Sequence, residues 1–128
     1  MLTYFSCTDH NNAIETFATQ LRFAHCEHLL VAHLGKNQEV IEASICCDQA
    51  NDHVIFPYRD IVRNALNCGS VSVFLAHNHP SGDPSPSRND IRLTHRLADV
   101  LAPLSIRLHD HLIIAGQHVV SMKRLKLI

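Results

Sequence analysis

The hydrophobic pattern in the first half of the chain predicts a helix followed by a β-hairpin. An amphipathic helix is indicated by apolar residues at i, i+3, i+4 and i+7, namely Ile14, Phe17, Ala18 and Leu21. Asn11 or Asn12 is available as its N-cap. The apolar run at residues 28–34 then predicts a strand, residues 35–37 a turn, and residues 39–46 the return strand.

The second half of the chain alternates between strands and helices. The pattern predicts a short strand at residues 54–56, a helix from Pro57 to Gly69, a buried strand at residues 71–76, and a helix from Arg88 to Pro103. Three further strands are predicted at residues 105–108, 112–115 and 118–122. Strands interspersed with helices predict an α/β fold with a mixed β-sheet flanked by helices.

Length and composition indicate one soluble domain. We expect a single domain over the 128 residues, with residues 1–10 as a loose N-terminal extension. No apolar run approaches the roughly 18 residues of a membrane span, and no secretory signal pattern is present. The five cysteines include no C-x-x-C, which is typical of a reduced interior. A cytoplasmic protein without membrane association follows, with Cys46 and Cys47 interpreted as small strand residues and not as ligands.

Charge gives little support to nucleic-acid binding. The formal net charge is −1, whereas a nucleic-acid footprint normally requires a strong basic excess. Arg88, Arg92 and Arg96 recur at helical spacing and would form one basic stripe. We interpret this stripe as a solvated helix face.

Candidate chemistry begins where the strand at residues 71–76 ends. His77 and His79 lie two residues apart, so their side chains point to the same side of an extended chain. Asp90 lies in the first turn of the following helix and can reach the same point. Two nitrogens and a carboxylate oxygen around one point, with a coordination position left over, describe a catalytic zinc site.

A helix cap explains part of the same pattern. Ser87-x-x-Asp90 ahead of an amphipathic run is also a capping box. The chain has 11 histidines, so roughly one H-x-H pair is expected by chance, and His109-x-His111 is a second pair. Spacing alone therefore leaves open a metal site and a capped helix with incidental histidines, and the two can coexist.

The pattern H-x-H, seven residues, Ser, two residues, Asp resembles the motif of the JAMM (MPN+, JAB) metalloproteases. The wider string AHNHPSGDPSPS, with a later DHLII, is similar to the RadC branch of that family. The resemblance covers the chain from about Arg22 to the C-terminus. It implies an MPN/JAB-like, cytidine-deaminase-like sandwich, with one Zn²⁺ per chain bound by His77, His79 and Asp90.

The resemblance also implies catalytic roles. Glu27 matches by position the glutamate that activates the metal-bound water in JAMM proteins; taken without the resemblance, it would be an exposed glutamate at a strand edge. In the implied reaction Glu27 passes a proton to the leaving amine, and the Ser87 hydroxyl donates to the oxyanion. The implied substrate is a peptide or isopeptide bond, so the expected partner is a peptide or protein. Glu39 and Glu42 are weaker candidates for the base.

Two stretches depart from this scheme or compete with it. RadC-like chains usually carry His-Pro-Arg-Glu where this sequence reads Phe56-Pro57-Tyr58-Arg59, so the match is partial there. His109 and His111 have no third ligand at a fixed offset, because Asp110 would face the other way on a strand. We interpret them as strand and turn histidines, or as hydrogen-bond partners of the ligand residues.

Two alternative functions remain open. One is a RadC-type accessory protein of DNA repair or recombination, and the other is a non-catalytic MPN interaction module. RadC proteins commonly carry an N-terminal helix-hairpin-helix region, and the roughly 25 residues before the domain are too few for one, so direct DNA binding is the weaker expectation. Zinc deaminases require a P-C-x-x-C, which this sequence lacks.

Overall fold

A mixed β-sheet carries helices on both of its faces. The computed structural model describes residues 2–5, 10–47 and 56–128. Its α-helices are α1 (His10–Leu21), α2 (Tyr58–Cys68) and α3 (Arg88–Leu101). Its strands are β1 (Leu2–Phe5), β2 (Leu29–Leu34), β3 (Val40–Cys46), β4 (Ser72–Asn78), β5 (Arg107–Ala115) and β6 (His118–Ser121).

Strand β4 occupies an inner position of the sheet. The strand order is β1-β3-β2-β4-β5-β6, and the only parallel pair among these described strands is β4 with β5. A parallel pair needs a crossover connection, and α3 supplies it. The predicted α/β fold with a mixed sheet flanked by helices is confirmed.

Alternation of side chains along the strands divides the core into two layers. On one face of the sheet, Leu30 of β2 packs in a cluster with Phe17 of α1. On the other face, Leu75 of β4 packs with Ile61 of α2 and Leu97 of α3. His77 follows Leu75 by two residues, and so it faces the layer formed by α2 and α3.

Three of four predicted helix ends follow their sequence signals. Gly69 ends α2 with a left-handed φ of 67°, as predicted. Ser87 is the N-cap of α3, and Pro103 lies in a 3₁₀ turn at Ala102–Leu104 just after that helix. The prediction of an N-cap at Asn11 or Asn12 is wrong, because α1 already begins at His10 and includes both.

Strand β5 is longer than predicted. Residues 105–108 and 112–115 were expected to form two strands, but residues 107–115 form one. The polar residues between them predicted a turn, yet they continue the strand, and the hydrogen-bonding groups of Asp110 have partners there. The Asp110 carboxylate accepts hydrogen bonds from the His111 amide (2.7 Å), the Ser121 hydroxyl (2.6 Å) and the Lys123 amide (3.1 Å).

The N-terminal expectation needs a correction as well. Residues 2–5 form β1, which pairs antiparallel with β3, so this part of the expected loose extension is a strand. Pairing satisfies backbone groups that the edge of β3 would otherwise expose. Of the strand predicted at residues 54–56, the first two positions lie outside the described residues, and Phe56 is not in a strand.

No helix in the described part of the chain has the length and apolar character that crossing a bilayer requires.

Candidate metal centre

The end of β4 places two imidazole rings beside each other. His77 is the last but one residue of β4, and His79 follows the strand directly. Their Nε2 atoms lie 2.8 Å apart. The alternation predicted from the sequence therefore brings both rings to one point.

Asp90 reaches the same point from the first turn of α3. Its carboxylate oxygens lie 3.4 Å from His77 Nε2 and 3.1 Å from His79 Nε2. A complete capping box orients Asp90: its carboxylate accepts from the Ser87 amide (2.8 Å), and its own amide donates to Ser87 Oγ (3.0 Å). The cap and the cluster predicted as alternatives from the sequence thus occur together.

The electrostatics of the cluster favour an ionised carboxylate. Burial by itself would raise the pKa of Asp90, but hydrogen bonds with His77, His79 and the Ser87 amide outweigh burial and hold that pKa well below its usual range. The hydrogen bond with Asp90 raises the pKa of His79, against the lowering effect of burial. Asp90 is therefore a carboxylate at neutral pH.

Hydrogen bonding determines which nitrogen of His79 faces the cluster. His79 Nδ1 lies 2.8 Å from the carbonyl oxygen of Asp83, and a carbonyl oxygen can only accept. Nδ1 therefore carries the proton, and in the neutral ring Nε2 presents a lone pair to the cluster.

A longer chain of hydrogen bonds also places the proton of His77 on Nδ1. Thr94 Oγ1 donates to the carbonyl of Asp90 (2.6 Å), so it can only accept from His111 Nδ1, 2.7 Å away. His111 Nε2 then accepts from His77 Nδ1 at 2.6 Å. Burial lowers the pKa of His111 well below its usual value, which keeps this ring neutral. His77 Nε2 is left as a lone pair that faces Asp90.

These donor atoms fit a divalent cation. Two nitrogen lone pairs and a carboxylate at such short separations repel one another unless a positive charge, either a ring proton on Nε2 or a metal ion, lies between them. Ligand atoms of a tetrahedral zinc site lie about 3.4 Å apart, and the three separations here are 2.8, 3.1 and 3.4 Å. In metal-binding histidines, the ring nitrogen that does not bind the metal usually donates a hydrogen bond to a fixed partner, as Nδ1 does in both rings here. His77, His79 and Asp90 form one of two groups among the described residues that could hold a metal ion.

A cleft of about 170 Å³ opens beside the cluster. The predicted catalytic residues Glu27 and Ser87 both line it, together with His77 and Asp90. Its apolar wall consists of Leu29, Phe56 and Leu93. The structure therefore gathers the five predicted site residues at one place, with four of them lining this cleft. The weaker candidate Glu39 is absent from the lining, and its carboxylate instead accepts from the Asn37 amide (2.9 Å) in the hairpin turn.

Asn78 holds the segment that carries Glu27. The Asn78 side chain is buried, accepts from the His28 amide (2.7 Å) and donates to the Cys26 carbonyl (3.0 Å). It thus binds the backbone on both sides of Glu27. A residue between the two histidines of the cluster therefore anchors the backbone that carries the candidate base.

Sequence reasoning predicted the three candidate ligands, which the structure brings together, but not all of their hydrogen-bond partners. The sequence left two interpretations of His109 and His111, and one of them was hydrogen bonding to the ligand residues. The contact of His111 with His77 depends on the parallel pairing of β4 with β5. Thr94 and Asn78 were not singled out. Thr94 could have been singled out, because it lies four residues after Asp90 and therefore on the same face of the helix.

Comparison with known proteins agrees with the fold and the cluster. The family model described as the RadC-like JAB domain matches residues 7–127. A UPF0758 protein of Geobacillus kaustophilus is 39% identical over 104 residues, which are 80% of this chain and 46% of the relative. A UPF0758 protein of Caldanaerobacter subterraneus is 34% identical over 120 residues, 93% of this chain and 51% of the relative.

The chain spans about half the length of these relatives. The match of the family model, in contrast, extends over nearly the whole chain and includes every residue of the cluster and the cleft. This chain belongs to the RadC-like JAB domain family.

Proposed function

We propose that this domain is a zinc-dependent hydrolase of the JAMM type that cleaves a peptide or isopeptide bond. The observation that supports it most is the convergence of His77 Nε2, His79 Nε2 and the Asp90 carboxylate beside a cleft that also contains Glu27. A structural site would need no such cleft and no carboxylate beside it.

His77, His79 and Asp90 would hold the metal ion. A bound zinc ion lowers the pKa of a coordinated water to about 7 and polarises a carbonyl group, which is what amide hydrolysis at neutral pH requires. Because hydrogen bonds to Nδ1 fix both rings, the ligand set is in place before the metal binds.

Glu27 moves the proton in this proposal. Its carboxylate takes a proton from the attacking water and then gives it to the leaving amine nitrogen, as the bond from carbon to water oxygen forms and the bond from carbon to nitrogen breaks. Asn78 holds the backbone on both sides of Glu27, which restricts where the carboxylate can go.

Ser87 stabilises charge on the substrate. Its Oγ already accepts a hydrogen bond from the Asp90 amide, so its hydroxyl proton is available to another acceptor in the cleft. We assign that proton to the oxygen of the scissile carbonyl as negative charge develops there.

The apolar wall of the cleft belongs to the substrate side of the site. Phe56 lies where RadC-like chains usually carry a histidine, and its ring packs against Tyr58 with centroids 4.8 Å apart. With Leu29 and Leu93 it offers apolar surface to a substrate side chain and excludes water from the reacting carbonyl.

Glu27→Gln tests the proposal. Loss of the proton-transfer group predicts a decrease in turnover of about 10²- to 10⁴-fold with zinc content unchanged, measured on a panel of fluorogenic peptide and isopeptide substrates. Glu15→Gln, which changes an exposed glutamate on α1, is the matched control and should keep full activity.

Two outcomes would contradict the proposal. Turnover that is equal in wild type and Glu27→Gln would remove Glu27 from the mechanism. A zinc-loaded wild type that cleaves none of the panel would favour the non-catalytic interaction module.

A further inference from the structure

We propose that Cys26, His28 and Cys47 form a second metal site, which binds zinc or a similarly thiophilic ion. These residues are the other group among those described that could hold a metal ion. The site is separate from the His77 cluster and does not depend on the hydrolase proposal.

The separations of the candidate ligand atoms suit tetrahedral coordination. Cys26 Sγ lies 3.4 Å from Cys47 Sγ and 4.0 Å from His28 Nε2. In a tetrahedral zinc site two sulfurs lie about 3.8 Å apart, and a sulfur and a nitrogen about 3.6 Å apart. Both separations lie within about 0.4 Å of these values, and all three ligand atoms lie within 4.8 Å of one another.

The His28 ring is oriented as a ligand. His28 Nδ1 lies 3.0 Å from the Cys26 carbonyl oxygen, which can only accept, so Nδ1 carries the proton. In the neutral ring Nε2 therefore has a lone pair available for a metal ion. A backbone carbonyl behind a ligating imidazole is a common second partner at zinc sites.

The fold brings the three residues together from two segments. β2 and β3 pair with Leu29 opposite Cys46, and continuing this antiparallel register by one residue places Cys47 beside His28. Asn78 also holds the backbone at Cys26 and His28. The ligands are thus positioned by the hairpin and by β4, and a metal ion would connect the start of β2 to the end of β3.

The ligand chemistry indicates which ion would bind. Two thiolates and an imidazole favour zinc or copper(I) over magnesium or calcium. All three residues are half-buried, so an ion can enter and a water molecule can complete the coordination. Cys46 instead packs in the core cluster with Leu29 and Leu75, where burial raises its pKa to about 11.

The sequence predicted that Cys46 and Cys47 are both small strand residues and not ligands. We retain that prediction for Cys46 and revise it for Cys47. Cys47 follows the end of β3 and is assigned as a ligand, and the expected metal content rises to two ions per chain. Because Glu27 lies between Cys26 and His28, an ion at this site would also fix the backbone of the candidate base.

Cobalt spectroscopy tests the second site without an activity assay. The His77 cluster contains no sulfur, so an intense near-ultraviolet sulfur-to-cobalt charge-transfer band can arise only from a thiolate site. We expect Co²⁺ added to the protein, in a phosphine reductant, to give this band, with saturation at one equivalent in His77→Ala, in which the Cys26, His28 and Cys47 group is the remaining site. His77→Ala should keep the band and Cys47→Ser should lose it.

Cys68→Ser is the matched control, since Cys68 lies on α2 and its thiol donates to the Ala65 carbonyl. It should keep the full band. Absence of the band in wild type saturated with Co²⁺ would overturn the proposal, and so would full intensity in Cys47→Ser. A Cys26–Cys47 disulfide that persists in reductant would overturn it as well.

Discussion

At the scale of single residues, the proton on each imidazole decides whether the cluster can bind a metal ion. Thr94, His111 and His77 are joined in sequence by hydrogen bonds of 2.7 and 2.6 Å. Thr94 donates to the Asp90 carbonyl, so the chain of bonds connects two residues of the cluster, Asp90 and His77. Rotation of one partner would therefore disturb both His77 and Asp90.

Replacement of His111 tests this chain. His111→Leu removes the acceptor for His77 Nδ1 and should weaken zinc binding about 10- to 100-fold, measured by competition with a chelator. His111→Gln still offers an acceptor oxygen, and its affinity should lie closer to that of the wild type. Equal affinities in wild type and His111→Leu would contradict the assigned role.

The sequence predicted the cluster of candidate ligands because local rules place its three residues. Alternation along a strand brings His77 and His79 to one side, and the first turn of a helix places Asp90. Resemblance to a family supplied Glu27, which the residues alone would not have identified. The roles of His111 and Cys47 depend on strand register, which joins residues 34 and 21 positions apart and is not a local property.

At the scale of secondary-structure elements, the N-terminus of α3 serves both folding and the site. Ser87 caps the helix through the Asp90 amide, and its hydroxyl lines the cleft. The capping role and the proposed oxyanion role use different parts of the same hydroxyl, its lone pair and its proton.

Two substitutions separate these roles. Ser87→Ala should lose about 1 kcal/mol of stability with the cap and should also lose activity. Ser87→Asp keeps a capping oxygen but has no proton to donate, so it should retain most of the stability in a urea titration and still lose activity. Full activity in Ser87→Asp would exclude the oxyanion role.

Strand β2 carries a buried histidine outside the site. His33 is almost fully buried, and neither ring nitrogen has a hydrogen-bond partner in the described part of the chain. Burial lowers the pKa of His33 from 6.5 to about 4. Below pH 6.5 His33 is therefore protonated in the unfolded chain, whereas in the folded protein it stays neutral until the pH approaches 4.

This difference predicts a loss of stability as pH falls. The His33 contribution is complete above pH 6.5 and is lost towards pH 4, by about 3 kcal/mol in all. His33→Leu should remove that contribution, so the free energy of unfolding of the variant should fall less between pH 6.5 and 4. Parallel pH profiles of the two proteins would show that His33 is not responsible.

Element boundaries were predicted best where turn residues mark them. Gly69 and Ser87 gave the end of α2 and the start of α3, whereas the break expected within β5 does not exist. His109, Asp110 and His111 look like a turn in the sequence, but Ser121 and Lys123 satisfy the Asp110 carboxylate. Polar strand residues with distant partners are not recognisable from local pattern.

At the scale of the whole molecule, the sheet places two candidate metal sites at the ends of neighbouring strands. The end of β4 and the residue after it supply His77 and His79 to one site. The segment just before β2 and the residue after β3 supply Cys26, His28 and Cys47 to the other. Glu27 lies between them in the chain. Hydrolysis is the activity that we propose for this domain, with a DNA-processing role as the alternative.

The arginine stripe on α3 gives that alternative limited support. Arg88, Arg92 and Arg96 are exposed, as expected of a solvated helix face. Arg92 donates to Asn89, and the Arg96 guanidinium lies over the Tyr58 ring at 5.4 Å. Two of the three side chains therefore already have contacts within the protein.

The most direct test of the central claim is the zinc content of the protein after equilibration with zinc at neutral pH. Wild type, His77→Ala and the control His118→Ala, which changes an exposed histidine on β6, are measured side by side by elemental analysis. We predict that His77→Ala holds one zinc ion per chain fewer than wild type, and that His118→Ala holds the same number. Equal zinc content in wild type and His77→Ala would contradict a metal centre at His77, His79 and Asp90.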